Sequence, residues 1–180
     1  MKENGFKKLI AILIAATVSA LAFVLVGTLS DSTFLTAVAY AILAFCAAVY
    51  GPAAGALAGL VGGVFTLPGI DMTTLVNAGC SGLLGLAMGL LTRRYTLYDG
   101  VFSKHDAIGF NLWQGFSHLI VWGLVSPVLN WLIFSRPFAD AFKSGVIMAA
   151  IYLAVTAIVG TLLLFIYAAV KPKKGSLKKK

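Results

Sequence analysis

The sequence predicts an all-α integral membrane protein, a compact bundle of six transmembrane helices with both termini cytoplasmic. Three observations predict it. Of 180 residues, 60% are apolar and 11% charged, against roughly 45–50% and ~25% in a soluble domain. The mean hydropathy is +0.96. The apolar residues form long uncharged runs, while nine of the fourteen Lys and Arg fall in the first eight and last ten positions. A soluble chain must cover itself with polar surface, and this one has too little. A soluble enzyme, a disordered chain and a secreted disulfide scaffold are all poor readings. The net charge of +8 does not indicate nucleic acid, because the charge lies at the ends. Cys46 and Cys80 sit in apolar runs and read as small buried hydrophobes; no metal-binding spacing is present.

The hydrocarbon core of a bilayer is ~30 Å thick and needs ~20 apolar residues per helix. Residues 9–29 are uncharged and follow Lys2, Lys7 and Lys8. The run exceeds the ~7–15 residues of a signal-peptide core, so it reads as a retained helix. Asp31-Ser32 breaks the pattern before a second run, 34–50. Gly51-Pro52 closes that run, since proline cannot continue a helix but opens one well. The third run, 53–65, is short and Gly-rich, and TLPGIDM at 66–72 is a loop by its Pro-Gly turn. It is either a plain short helix or one that ends early beside a loop folded inwards. The fourth run, 73–91, stops at Arg93-Arg94. After a polar stretch come 107–134, which contains Pro127, and 141–170, separated by a turn with Arg136-Pro137. The basic tail KPKKGSLKKK, 171–180, ends a single six-helix domain.

Six spans put both ends on one side. With the termini inside, twelve of the fourteen basic residues are cytoplasmic, and only Arg136 and Lys143 are outside. The positive-inside rule selects this orientation. The outer loops, 30–33, 66–72 and 135–140, then carry Asp31, Asp71 and Asp140.

Small residues recur four apart: Ala11 and Ala15, Ala16 and Ala20, then Gly51, Gly55 and Gly59, and Gly85 and Gly89. In lipid such stripes let helices approach closely. They are either internal packing or, on the first helix, a face for a partner protein. No carboxylate lies deep in a span, no arginine row is present, and HExxH, GxSxG and GxxxxGK[ST] are absent. The chain therefore reads as a non-enzyme without a cofactor or nucleotide site of its own. His118 is the polar exception. With Gln114 four before and Trp122 four after, it shares one helical face, and it is either a pocket residue or a histidine bonded to a neighbouring helix. Toward the outer side lie Asn77, Trp122 and Asn130 on helices, and Phe34, Asp71, Met72 and Arg136 at the loops. Amides and indoles with few charges suit a mostly apolar ligand pocket.

Three stretches resemble a known family. They are AATVSALAF at 15–23, YGPAAGALAGLVGG at 50–63 and WGLVSPVLNWLIFSRP at 122–137. The chain resembles the S-component, the substrate-binding membrane subunit, of an energy-coupling factor (ECF) transporter, an ABC-type importer. The resemblance implies capture of a vitamin or related micronutrient, delivered to an EcfT-like membrane coupling subunit and two ATPases in a bacterial plasma membrane. It implies a pocket near the outer face, closed by the three outer loops, with Phe34, Asp71, Met72, Asn77, His118, Trp122, Asn130 and Arg136 as candidates. It implies that an alanine stripe on the first helix, Ala16 and Ala20 or Ala11 and Ala15, meets the coupling subunit. The whole S-component then topples in the membrane after its loops close. The resemblance leans to cobalamin, with hydroxymethylpyrimidine, a queuosine-like compound or riboflavin open. A self-contained secondary carrier and a structural membrane protein without a small ligand are the alternatives; the first would show intramembrane charge or an internal repeat.

Overall fold

The computed structural model describes residues 5–29, 32–65, 69–91, 97 and 100–171. Asp31, Arg93, Arg94, the tail beyond Lys171 and the side chain of Ala11 lie outside the described residues. Within them the chain is helical, with no strand. Helices α1 (Gly5–Leu29), α2 (Thr33–Tyr50), α3 (Pro52–Val64) and α4 (Met72–Leu91) come first. Two longer rods follow, α5 (Lys104–Phe134) and α6 (Phe138–Val170). Helices α2, α4, α5 and α6 are long and apolar enough to cross a membrane, whereas the apolar stretch Ile12–Val26 of α1 and the whole of α3 are shorter.

The boundaries match the expected runs to within a few residues, and each departure has a local cause. α5 begins at Lys104 rather than 107 because Ser103 and Asp106 cap each other. The Ser103 N–H donates to Asp106 Oδ2 at 2.8 Å, and the Asp106 N–H donates to Ser103 Oγ at 3.2 Å. This reciprocal pair satisfies two orphan donors of the first turn. α6 begins at Phe138, directly after Pro137. Between α2 and α3 the chain reverses at Gly51, whose φ of 89° lies in the region that favours glycine. Its N–H donates to the Ala47 carbonyl at 2.9 Å, and Pro52 opens α3.

Pro127 bends the rule for α5 without ending it. Its ring would clash with the carbonyl four residues back, and it has no N–H to donate. The helix widens instead into a π turn at Val121–Val125, where the Ser126 N–H reaches the Val121 carbonyl. α6 carries a second π turn at Thr156–Gly160.

The closest approach is between α3 and α4. A Cβ on Gly55 would collide with the Gly85 carbonyl oxygen, and one on Gly85 with the Gly55 carbonyl oxygen. Gly59 lies in the same way against the Ser81 carbonyl, and Gly89 against Pro52. The four-residue spacing read from the sequence is therefore internal packing of these two helices, with Gly51 as the turn. In Gly62 the missing side chain is replaced by the ring of Phe23 from α1. α2 lies in the middle. Ala37, Tyr40, Leu43, Ala44, Ala47 and Val49 are among its buried residues, and it packs against α1, α3, α4 and α6. Leu13, Leu21, Leu112, Phe116, Ile147, Ile158 and Leu162 face outward, while Ser81, Gln114, Ser117, His118 and Thr156 are buried. Apolar outside with polar inside is the reverse of a soluble protein and suits a lipid surround.

Asp71 closes the N-terminus of α4. Its Oδ1 accepts from the Thr74 N–H at 2.8 Å and from the Thr74 hydroxyl at 3.0 Å. The Thr74 N–H, followed by that hydroxyl, holds the carboxyl below the ordinary carboxylate range.

Two predictions follow from this packing and capping. Gly85→Val is expected to destabilise by at least the ~1–3 kcal/mol typical of overpacking, since it strikes backbone. Gly79→Ala, whose Cβ would meet open space, should be neutral or gain up to ~1 kcal/mol from helix propensity. Thermal unfolding of both in one detergent checks the contrast. The Asp71 cap should be complete above the ordinary carboxylate pKa near 4 and lost as pH falls through its depressed native value. Asp71→Asn, which caps without the charge, should flatten the acid-side dependence of the thermal midpoint and lower neutral-pH stability by the charge-dependent part alone.

Candidate functional site

The residues singled out from the sequence divide into two sets. His118 and Trp122 are brought together, in the middle of the bundle. His118 is fully buried and Trp122 nearly so. Trp122 lies twelve residues before Phe134, about 18 Å along the axis, so it belongs to the interior of α5 and not to its outer end. The indole meets the Tyr40 ring of α2 at 5.3 Å between centroids and the Tyr152 ring of α6 at 5.6 Å, both edge-on. Tyr40 and Tyr152 lie 4.7 Å apart, and Phe23 joins Tyr40 at 5.0 Å. Edge-on and tilted rings at these separations are the favoured geometries for aromatic pairs. The Tyr40 hydroxyl is tied to Ser81 Oγ of α4 at 2.8 Å. Thus one aromatic cluster joins α1, α2, α5 and α6 and is pinned to α4.

The second set stays at the loop end of the bundle. Phe34 and Met72 are exposed at the starts of α2 and α4, and Asp71 caps α4 as described. Asn77 is half-buried, five residues into α4. Asn130 turns back on its own helix, its Nδ2 donating to the Ser126 carbonyl at 2.9 Å. Arg136 is exposed and donates to Ser144 Oγ at 3.3 Å, while that hydroxyl donates to the Asp140 carbonyl at 2.7 Å. Gly69, Ile70 and Asp71 are exposed, so this part of the third-to-fourth loop is not folded into the bundle. On α1, Ala15 is buried against Cys46 and Ala54, whereas Ala16 and Ala20 are half-buried.

Around the aromatic cluster runs a polar seam between α5 and α6. Gln114 Nε2 donates to the Leu153 carbonyl at 3.2 Å. His118 Nδ1 lies 2.8 Å from the Gln114 carbonyl. A carbonyl only accepts, so Nδ1 carries the ring proton and the neutral imidazole offers a lone pair at Nε2. Farther along, Asn111 Nδ2 donates to Thr161 Oγ1 at 2.9 Å. Several atoms here have no partner: Asn111 Oδ1, Gln114 Oε1, Ser117 Oγ, His118 Nε2, Trp122 Nε1 and Thr156 Oγ1. A buried unmatched polar group costs about 1–3 kcal/mol, so six in one region need a reason. The two π turns flank the same seam, at Val121–Val125 and Thr156–Gly160, and such turns often mark functional places in helices. At the first, the Trp122 backbone carbonyl would take its π-type hydrogen bond from Pro127, which has no N–H. That carbonyl faces Gly145 of α6, where a Cβ would collide with it.

Sequence reasoning found Gln114, His118 and Trp122 but missed Tyr40, Ser81, Tyr152, Ser117 and Thr156. Tyr40 and Tyr152 had a signal, being the tyrosines in mid-span. The two serines and the threonine had none, since a hydroxyl in a membrane helix usually satisfies itself on the preceding turn. Among the described residues, no three His, Cys, Asp or Glu side chains gather as a metal would require. What the arrangement offers is aromatic edges and a few fixed hydrogen-bonding atoms, the means of holding a small organic molecule.

Comparison with known proteins bears on that reading. The chain matches, over residues 8–169, the family described as the S component of ECF-type riboflavin transporters. The UPF0397 protein of Enterococcus faecalis is 38% identical over 187 aligned positions, covering 99% of this chain and 100% of that protein. The UPF0397 protein YdcD of Lactococcus lactis subsp. lactis is 35% identical over 188, covering 99% and 100%. A UPF0397 protein of Staphylococcus aureus is 36% identical over 185, covering 99% and 98%. No solved structure matches the chain significantly. The match reaches from α1 to the last turn of α6, and the chain belongs to the ECF-type S-component family, bacterial membrane transporter subunits that are not themselves enzymes.

Proposed function

We propose that this chain is the substrate-capture subunit of an ECF importer in a bacterial plasma membrane. It crosses the membrane six times as one domain, with both termini cytoplasmic. It binds one vitamin molecule from outside and passes it to an EcfT-like coupling subunit and two ATPases. The observation that carries the reading is the family match through all six helices. The buried seam of unmatched polar atoms beside an aromatic cluster supports it independently. The orientation rests on the distribution of lysine and arginine.

For the ligand, riboflavin stands first. The family's description names it, and the Tyr40, Trp122 and Tyr152 rings suit a flat heteroaromatic system better than a corrin. The short outer loops offer little to close over a ligand as large as cobalamin. Cobalamin, toward which the resemblance leaned, hydroxymethylpyrimidine and queuine remain the competitors. Trp122 and His118 are the contacts deep in the bundle. Phe34, Asp71, Met72, Asn77, Asn130 and Arg136 belong to the outer approach.

For the partner, Ala20 is the stripe residue of α1 best placed for a coupling subunit, because Ala15 is turned into the bundle and the half-buried Ala16 packs against the core.

Calorimetric titration of the purified full chain in nanodiscs tests the capture role. One of the four compounds should bind one-to-one, tighter than about micromolar, roughly −8 kcal/mol; binding of none would sink the reading. In cells with the coupling subunits, Ala20→Trp should abolish uptake of that compound while capture by the purified variant stays within about twofold. Equal loss of both would make this face internal packing.

A further inference from the structure

The unmatched atoms of the α5–α6 seam differ in kind, and their kinds describe the ligand. Gln114 spends its donor on Leu153 and keeps Oε1, an acceptor. His118 spends its proton on the Gln114 carbonyl and keeps Nε2, a second acceptor. Trp122 Nε1 is a donor. The hydroxyls of Ser117 and Thr156 serve either way. All five side chains are more than nine-tenths buried. From 107 to 134 and from 144 to 170 the sequence holds no Lys, Arg, Asp or Glu. An anion entering here would lose its hydration and meet no cation, which is the costliest kind of burial. A neutral group bearing O–H or N–H would find two fixed acceptors and two adaptable hydroxyls.

Resting on the capture reading above, we propose that this seam receives the uncharged, donor-rich part of the ligand, a hydroxylated chain or an N–H-bearing ring edge, and rejects the phosphate ester of the same compound. Gln114, Ser117, His118 and Thr156 are its specificity-determining residues, and Trp122 contributes the single fixed donor. The aromatic cluster then faces the flat part of the molecule.

The test uses the full chain in nanodiscs, titrated with riboflavin, hydroxymethylpyrimidine, queuine and cobalamin. Riboflavin 5′-phosphate and hydroxymethylpyrimidine phosphate are the charged counterparts. Thr156→Val and Ser117→Ala each remove one hydroxyl with little change of shape. The compound that binds the wild type should bind each variant at least tenfold more weakly, and the charged counterpart at least a hundredfold more weakly than the neutral form. The ligand-free variants should melt at the same temperature as the wild type or higher, because an unmatched group has been deleted. This last readout separates a ligand role from a structural one. Wild-type affinity in both variants would overturn the proposal and leave the capture reading intact, with the ligand held elsewhere. A drop of several degrees in the ligand-free midpoint of Thr156→Val would overturn it without any ligand, by showing that the hydroxyl is already satisfied. Failure of the wild type to bind any of the neutral compounds would bring down the capture reading and this inference with it.

Discussion

The backbones of α3 and α4 touch, and the rest of the bundle is arranged around that contact. Hydrophobic burial does little to join helices that are already in lipid; dispersion between closely fitted surfaces must do it instead. Gly55 against Gly85 and Gly59 against the Ser81 carbonyl bring the two helices as near as chains can come. Their shared face leaves α2 lying across the bundle's centre, and the Tyr40–Ser81 hydrogen bond fastens it there. Phe23 reaches into the hollow at Gly62 and holds α1 on the same unit. One half of the molecule is therefore closely packed, and its buried polar side chains are small hydroxyls, Ser19, Thr74 and Ser81.

The other half is built on the opposite terms. α5 and α6 meet through amides, hydroxyls, an imidazole and an indole, and each helix loses its regular bonding once along the way. Pro127 is the origin on α5, since the ring forces the helix to widen where Trp122 turns inward. Gly145 answers it on α6 by leaving space for the Trp122 carbonyl. Aromatic rings from α2, α5 and α6 close the junction between the halves. The division gives a small protein a firm frame and an adaptable interior without a second domain.

The sequence made the frame legible because its cause is local. Long apolar runs, Gly-Pro at the α2–α3 reversal and glycines four apart each have one physical meaning, and the structure uses them that way, except that Gly51 turns the chain where the stripe had counted it as packing. The interior was only half legible. The α5 stripe of Gln114, His118 and Trp122 shows in the spacing of one helix. Its partners on α2 and α6 do not, since Tyr40 and Tyr152 are far apart in the chain and only the packing angle unites them. Trp122 was expected nearer the end of its helix because charge patterning reports which end of a helix is outside and says nothing of depth. The alanine stripe shows the same limit: spacing located a small-residue face on α1, but which of Ala15 and Ala16 turns inward depends on the rotation of the whole helix.

α3 has thirteen residues, about 20 Å of helix, while α5 and α6 have 31 and 33. In a membrane with ~30 Å of hydrocarbon α3 alone is too short to cross, and it lies against the longer α1 and α4. Lipid beside α3 has to thin or the body has to lean, at a fraction of a kcal/mol per Å of mismatch. A change in bilayer thickness, with no change in ligand or partner, would change how far the lipid beside α3 must adjust and so the strain the bundle carries at rest.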